Sequence, residues 1–253
     1  MSDNIIKTAV ILAAGVGNRL KPLTNEIPKC MVEVSGKPLM EYILDGLQES
    51  GFERVIIVTG YRSDQIDNFL FNYPTSLNIT TTYNDVFDKT NNIYSLWLAS
   101  DQLTDGFVLI ESDIILDSEV LNQFKYPDRI ALDLFCKFKH NGTTATVDEL
   151  NNLEDLYIKT SPPDDQCIYK TVNIYSFSNT TWQLLTDEIE SNIQRGNVNC
   201  FYEKAIQKLI KSRSLKLKMV NFSDVWWDEI DTPDDLLRVQ DAIHKRNELV
   251  LSD

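Results

Sequence analysis

The chain has 253 residues, 43% of them hydrophobic and 25% charged, which is enough apolar content for a sizeable core. A net charge of −14 argues against nucleic acid as a partner, because neutralising phosphates requires a basic face. No run of about eighteen apolar residues occurs, which excludes a membrane-spanning helix, and the acidic, polar opening MSDNIIK does not read as a secretory signal.

The first element is also the most informative. Ala9 to Leu12 form a short apolar run rich in β-branched residues, the pattern of a strand covered on both faces. Ala13, Ala14, Gly15 and Gly17 then strip the following turn of side chains, so that backbone N–H groups can close on an anion. Arg19, Lys21 and Lys29 follow, and an anionic ligand accounts for them in an otherwise acidic chain. A dinucleotide fold requires a third glycine where Leu20 stands, and a P-loop requires Gly-Lys-Ser/Thr. Neither is present. The glycines alone leave a ligand-free turn open.

Leu39, Tyr42, Ile43 and Leu47 recur at helical spacing within 38–50, and Gly51 closes that helix. A strand over 55–59, a helix over 63–72 and a strand over 79–83 follow. Thr90, Asn91 and Asn92 supply cap chemistry for a helix through 100, before a strand over 107–110. This alternation predicts a parallel sheet with right-handed crossovers and ligands at the carboxyl ends of its strands. Gly15, Asn84 and Asp113 all fall just past strand ends. In the second half, 131–138, 143–147, 157–159 and 172–177 read as strands, and 161–165, with two prolines and two aspartates, as a surface loop. Helices are expected over 181–193 and 197–211. The basic and apolar alternation of 215–220 predicts an exposed strand. Thr232 caps the last helix, with Pro233 at its first position and aspartates at its positive end. Cys30, Cys136, Cys167 and Cys200 lie far apart without a CxxC pair, which predicts free thiols in a reducing cytoplasm.

The stretch LAAGVGNRLKPLTNEIPK resembles the signature of the nucleotidylyltransferases that join a nucleoside triphosphate to a sugar phosphate or another phosphorylated small molecule. The resemblance continues through MVEVSGKPLMEYILDGL. DKTNNIYSLWLA, LIESDIIL, NGTTATVDE, YKTVNIYSFS and WWDEID are similar to the cytidylyltransferase branch that handles phosphocholine and aminoalkylphosphonates, so the likeness spans at least Lys7 to Ala242. It implies a Rossmann-like α/β fold: a mixed, mostly parallel sheet flanked by helices, with a smaller acceptor-binding lid. One domain is expected, divided into a nucleotide-binding half (1–130), an acceptor-binding half (131–230) and a C-terminal helix (231–253).

The same resemblance implies site roles. Leu12, Ala13, Ala14, Gly15 and Gly17 would hold the triphosphate of CTP, and Asn84, Asn92 and Ser95 would contact its pyrimidine. Arg19 would lie against the leaving pyrophosphate and Lys29 would stabilise charge on the α-phosphate. Asp113 and Asp231 would bind Mg2+, with Glu111 and Glu229, two residues earlier on the same faces, as close alternatives. Lys159 would meet the acceptor's phosphate, with Lys170 as a second candidate. Trp226, Trp227 and Tyr202 are candidates to surround an ammonium group, with Glu203 or Asp133 as counter-charge. Local sequence also allows plainer roles: a solvated Lys29, an Asp231 that caps a helix, an Asn92 that does the same, and aromatics that fill the core. The expected reaction transfers CMP from CTP to a phosphate or phosphonate oxygen, with 2-aminoethylphosphonate ahead of phosphocholine. A sugar 1-phosphate, an inositol phosphate or another phosphorylated amine or amide is the alternative acceptor. A catalytically silent nucleotide-binding subunit is the alternative of a different class, and a homo-oligomer is compatible with either.

Overall fold

The computed structural model describes residues 5–137, 140–162 and 167–250. In chain order its elements are β1 (Thr8–Ala13), β2 (Glu33–Val34), β3 (Lys37–Pro38), α1 (Leu39–Glu49), β4 (Arg54–Thr59), α2 (Ser63–Asn72), β5 (Asn78–Tyr83), α3 (Asn92–Leu98), β6 (Phe107–Glu111) and β7 (Ile114–Leu116). There follow β8 (Arg129–Leu134), β9 (Thr144–Val147), β10 (Leu153–Tyr157), β11 (Tyr169–Phe177), α4 (Asn179–Gln194), α5 (Glu203–Lys211), β12 (Lys218–Asn221), β13 (Trp227–Glu229) and α6 (Pro233–Val250). Among the described residues nine strands form one sheet, with main path β10-β9-β11-β6-β1-β4-β5; β8 pairs with β11 and β12. Strands β6, β1, β4 and β5 are parallel. β11 runs antiparallel to β6, and its pairings with β8 and β9 are antiparallel as well. The mixed sheet flanked by helices therefore forms as expected, with its continuous parallel block in the first half.

The all-apolar run of β1 follows from the alternation of strand side chains between two covered faces. Ala9, Ile11 and Ala13 pack with Met40, Ile43, Leu44 and Leu47 of α1 and Ile66 of α2. Val10 and Leu12 pack on the opposite side, in the cluster that includes Ile93, Trp182, Leu185, Ala205 and Ile206. A third cluster joins Leu20, Val32 and Val34 to Ile230, Leu236 and Val239. It fastens the segment after the first turn to the start of the last helix, and so carries residues 29 and 231 into one neighbourhood.

Three expectations in the second half are corrected. The helix placed over 197–211 begins only at Glu203, because the preceding loop is tied down by other partners: Val198 O accepts from Asn91 N at 3.0 Å, and Tyr202 N donates to Asn92 Oδ1 at 3.0 Å. The strand placed over 157–159 is instead β10, which ends at Tyr157; Lys159, at φ 56°, has left the extended region. The strand placed over 215–220 is β12, and it is not an exposed ribbon. It lies parallel to β8, and Leu215, Leu217 and Val220 are buried. Phe138 and residues 163–165 of the expected loop lie outside the described residues. The ribbon that pairs β13 with β7 has no strong sequence signal, since each strand has three residues.

All four cysteines carry free thiols, in unlike surroundings. Cys30 is 1% exposed, and burial pushes its thiol up to about 12, whereas Cys136 and Cys167 are exposed. Iodoacetamide should therefore modify Cys136 and Cys167 in the native protein and reach Cys30 only after unfolding, as read by peptide mass mapping. Alkylation of Cys30 at the rate of Cys136 would show that the core beneath α1 opens readily.

Candidate active site

Residues just past the ends of β1, β5 and β6 open onto one crevice of about 800 Å³. The turn after β1, Ala13 to Gly17, forms one wall. Gly17 has φ 67°, and a Cβ there would come within 3.0 Å of Lys29 Cβ, so glycine lets the turn rest directly on that lysine. From the other side, Ala14 O accepts from Tyr61 N at 3.1 Å, and a Cβ on Gly60 would stand only 2.7 Å from Ala14 O. The turn is clamped by the end of β4. A Cβ built on Gly15 meets nothing within 4 Å, so the space above the turn is open.

Lys29 links three distant parts of the chain. Its Nζ lies 2.6 Å from Asp113 Oδ2 and 2.6 Å from Asp231 Oδ1. Arg19 Nη2 lies 2.7 Å from the same Asp231 oxygen. The β7–β13 ribbon explains why the aspartates are neighbours: Glu229 pairs with Ile114, and Ile230 N donates to Asp113 O at 3.0 Å. Burial works against the Lys29 ammonium, but the charges and hydrogen bonds of Asp113 and Asp231 outweigh it and raise its pKa above the ordinary value. Burial likewise opposes ionised Asp113; the charge and hydrogen bond of Lys29, with Lys170 behind it, pull its pKa down.

A second charged group lies deeper. Lys170 is 2% exposed; its Nζ donates to Thr171 O at 2.6 Å and stands 3.2 Å from Glu229 Oε2. Asn173 Nδ2 donates to Glu229 Oε1 at 3.0 Å. Burial pushes the Glu229 carboxyl up to about 7 against the opposing pull of Lys170. Across the crevice Glu111 accepts from Asn92 Nδ2 at 3.2 Å, and burial, then Asp113 and Glu203, raise its pKa well above the ordinary range. Glu203 is 5% exposed, lines the crevice, and has Oε2 buried without a hydrogen-bond partner.

Hard oxygen donors suited to magnesium are present. Asp113 Oδ1 is buried and unpartnered, and the other Asp113 oxygen already shares one cation, the Lys29 ammonium, with Asp231. Among the described residues no three carboxylate, imidazole or thiolate side chains converge as a complete cage. Magnesium does not require one, because one or two carboxylates with waters and phosphate oxygens suffice. The residues fit the ion.

The crevice gathers every residue assigned above to the triphosphate, the base and the metal, together with Lys159, Lys170 and Glu203. The amides of Asn84 and Asn92 carry internal duties as well: Asn84 Nδ2 donates to Thr90 Oγ1 and Ser95 Oγ at 3.1 Å each, and Asn92 bridges Glu111 and the Tyr202 N–H. Lys159 Nζ sits 4.7 Å above the ring of Phe201. The aromatic cage is corrected, because none of its three members lines the crevice. Tyr202 is wholly buried against Tyr175. Trp227 packs on Phe222 and donates from Nε1 to Asp133 Oδ2 at 2.8 Å, so Asp133 is engaged as well. Trp226 lies beneath Arg246, at 4.7 Å. β13 and the start of α5 turn Trp227 and Tyr202 inward, while Trp226 is half-buried against the cluster of Leu20 and Ile230. Phe201 and Asn173 also line the crevice, where local sequence marks out Tyr202 and Lys170 instead.

The nucleotidyl transferase family model matches residues 8–154, more than half of the chain. The chain belongs to that family. Choline-phosphate cytidylyltransferase of Streptococcus pneumoniae is 41% identical over 101 residues, 40% of this chain and 42% of that protein. 2-Aminoethylphosphonate cytidylyltransferase of Lancefieldella rimae is 33% identical over 155 residues, 60% of this chain and 59% of that protein. The chain thus spans about half the length of these curated relatives. Among solved structures, CTP:phosphocholine cytidylyltransferase from S. pneumoniae superposes with a TM-score of 0.79 at 24% identity, over 94% of this chain and 99% of that one. The inositol-1-phosphate CTP transferase from T. maritima gives a TM-score of 0.75 at 19% identity, over 94% of this chain and 96% of that one. Both likenesses bear on the fold of the family.

Proposed function

We propose that this chain is a single-domain, magnesium-dependent cytidylyltransferase that transfers CMP from CTP to a small acceptor bearing a phosphate or phosphonate and a primary amine. The observation that carries the reading is the meeting of Arg19, Lys29, Asp113 and Asp231 beside an open, side-chain-free turn. The backbone N–H groups of 13–17 hold the triphosphate, Arg19 faces the leaving pyrophosphate, and Lys29 faces the α-phosphate. An acceptor oxygen forms its bond to the α-phosphorus as the bond to the bridging oxygen breaks, and pyrophosphate leaves with that electron pair. Asp113 and Asp231 would hold magnesium, which when bound neutralises phosphate charge. The protein's remaining work is positioning, with no protein atom entering a covalent bond.

Two features favour 2-aminoethylphosphonate over phosphocholine. The three rings expected to surround a quaternary ammonium do not line the crevice, whereas Glu203 does, with a buried, unpartnered Oε2 able to accept from an N–H that choline lacks. Lys159 and Lys170 supply positive charge for the acceptor's phosphoryl end. The test is pyrophosphate release from each nucleoside triphosphate paired with 2-aminoethylphosphonate, phosphocholine, a phosphorylated amide, inositol 1-phosphate and glucose 1-phosphate. CTP with the aminophosphonate should lead. Faster turnover of a neutral sugar phosphate would overturn the amine assignment, and silence with every pair would favour the non-catalytic nucleotide binder. Glu203→Gln should raise the KM of the amine acceptor by about tenfold or more, the scale of one lost charge-assisted hydrogen bond, while leaving that of CTP in place. An unchanged acceptor KM would remove Glu203 from the acceptor pocket.

A further inference from the structure

The contacts of Lys29 have a consequence for how a metal reaches this site. One ammonium takes Asp113 Oδ2 and Asp231 Oδ1 at the same 2.6 Å, and Arg19 takes Asp231 Oδ1 as well. These oxygens belong to the two carboxylates that would hold a divalent cation, of whose oxygens the buried Asp113 Oδ1 has no partner. A lysine cannot keep both while a doubly charged ion binds them, because two cations would share one pair of hard donors at contact distance. The Lys29 side chain is only 14% exposed and that of Asp231 only 7%, so water screens this conflict poorly.

We propose that Lys29 is the competitor for the metal site: its ammonium holds the Asp113–Asp231 pair until a triphosphate offers it another anion, so that metal binds tightly only together with nucleotide. Arg19 acts in the same direction. It leaves Asp231 for phosphate oxygens, and each departure frees one lone-pair direction for the ion. Nucleotide and metal are then coupled through the protein, in addition to direct chelation between them. Coupling of this kind is reciprocal, and typical values run from about fivefold to about a hundredfold. A second consequence is that the aspartates are never left facing each other as bare, buried charges, which would be costly.

The inference rests on the metal-assisted reading above, but its test needs neither nucleotide nor acceptor. Mn2+ alone is titrated into the intact protein, and the loss of the free hexaaquo ion's electron paramagnetic resonance signal is recorded. Lys29→Ala should bind Mn2+ about tenfold or more tighter than the wild type. Lys159→Ala, which removes a pocket lysine that touches no carboxylate oxygen of the pair, should bind as the wild type does. Adding Asp113→Asn to Lys29→Ala should abolish the gain, assigning it to this pair. Equal or weaker Mn2+ binding by Lys29→Ala, with the fold intact by circular dichroism, would overturn the proposal. So would a gain of the same size in Lys159→Ala, which would mean that only overall charge matters. Failure of the cytidylyltransferase reading would appear in the pyrophosphate screen and would leave this titration unaffected.

Discussion

Lys29→Ala is expected to lower turnover by about a hundred- to a thousandfold, the usual loss when one donor aimed at developing charge is removed. The expectation rests on position: Lys29 is held against the Gly17 turn and reaches the floor of the crevice where Asp113 and Asp231 meet. Stability should fall as well, because Asp113 and Asp231 lose the cation between them, by less than a sealed site would show since water or metal can enter the crevice they line. Single-turnover kinetics at saturating CTP and magnesium is the measurement, since it separates the chemical step from binding and release. Lys29→Arg should recover only part of the rate, as a planar guanidinium cannot reproduce a point charge at the same place. A variant within about threefold of wild type would remove Lys29 from the reaction. Set beside the Mn2+ titration, the expected pattern is an enzyme that binds metal better and works far worse.

Lys170→Met is expected to give the largest loss of stability among the polar positions discussed, about 3 kcal/mol, because breaking a buried ion pair strands its partner. The cation is 2% exposed, and the variant leaves the Glu229 carboxylate with Asn173 as its remaining close donor. For a chain of this size that corresponds to a fall in Tm of about 6 to 12 °C by calorimetry. Adding Glu229→Gln should return most of the loss, since a neutral amide keeps the hydrogen bond from Asn173 without a buried charge. If the double variant is no more stable than Lys170→Met, the loss comes from packing around the lysine stem and not from charge.

The parts of this protein legible in its sequence are those where one local pattern determines the outcome. The doubly buried β1, the following turn and the cap of α6 at Thr232 are of that kind: Thr232 Oγ1 accepts from Asp235 N at 3.2 Å. Resemblance went further than pattern for the site, because Asp113 and Asp231 are ordinary aspartates until the β7–β13 ribbon sets them side by side. The aromatic cage went astray for a related reason. At 201–203 the chain is not helical until Glu203, so Phe201 and Glu203 face the crevice and Tyr202 faces the core. Non-local bonds, among them those from Tyr202 N to Asn92 Oδ1 and from Asn91 N to Val198 O, hold that loop, and periodicity has no access to them.

The run of the sheet also limits how the molecule can move. Because β11 is bonded to β6 on one side and to β8 and β9 on the other, the two halves share a single ladder of backbone hydrogen bonds. They cannot swing apart like the shells of a clam without tearing that ladder. The width of the mouth is therefore set by the short segments that cross the strand ends: the turn at Gly15, the stretch from Phe87 to Asn91, and Asn141 to Thr143. The protein works as a rigid anvil with small fingers, and substitutions that stiffen those fingers should slow substrate exchange without shifting the melting transition of the sheet beneath them.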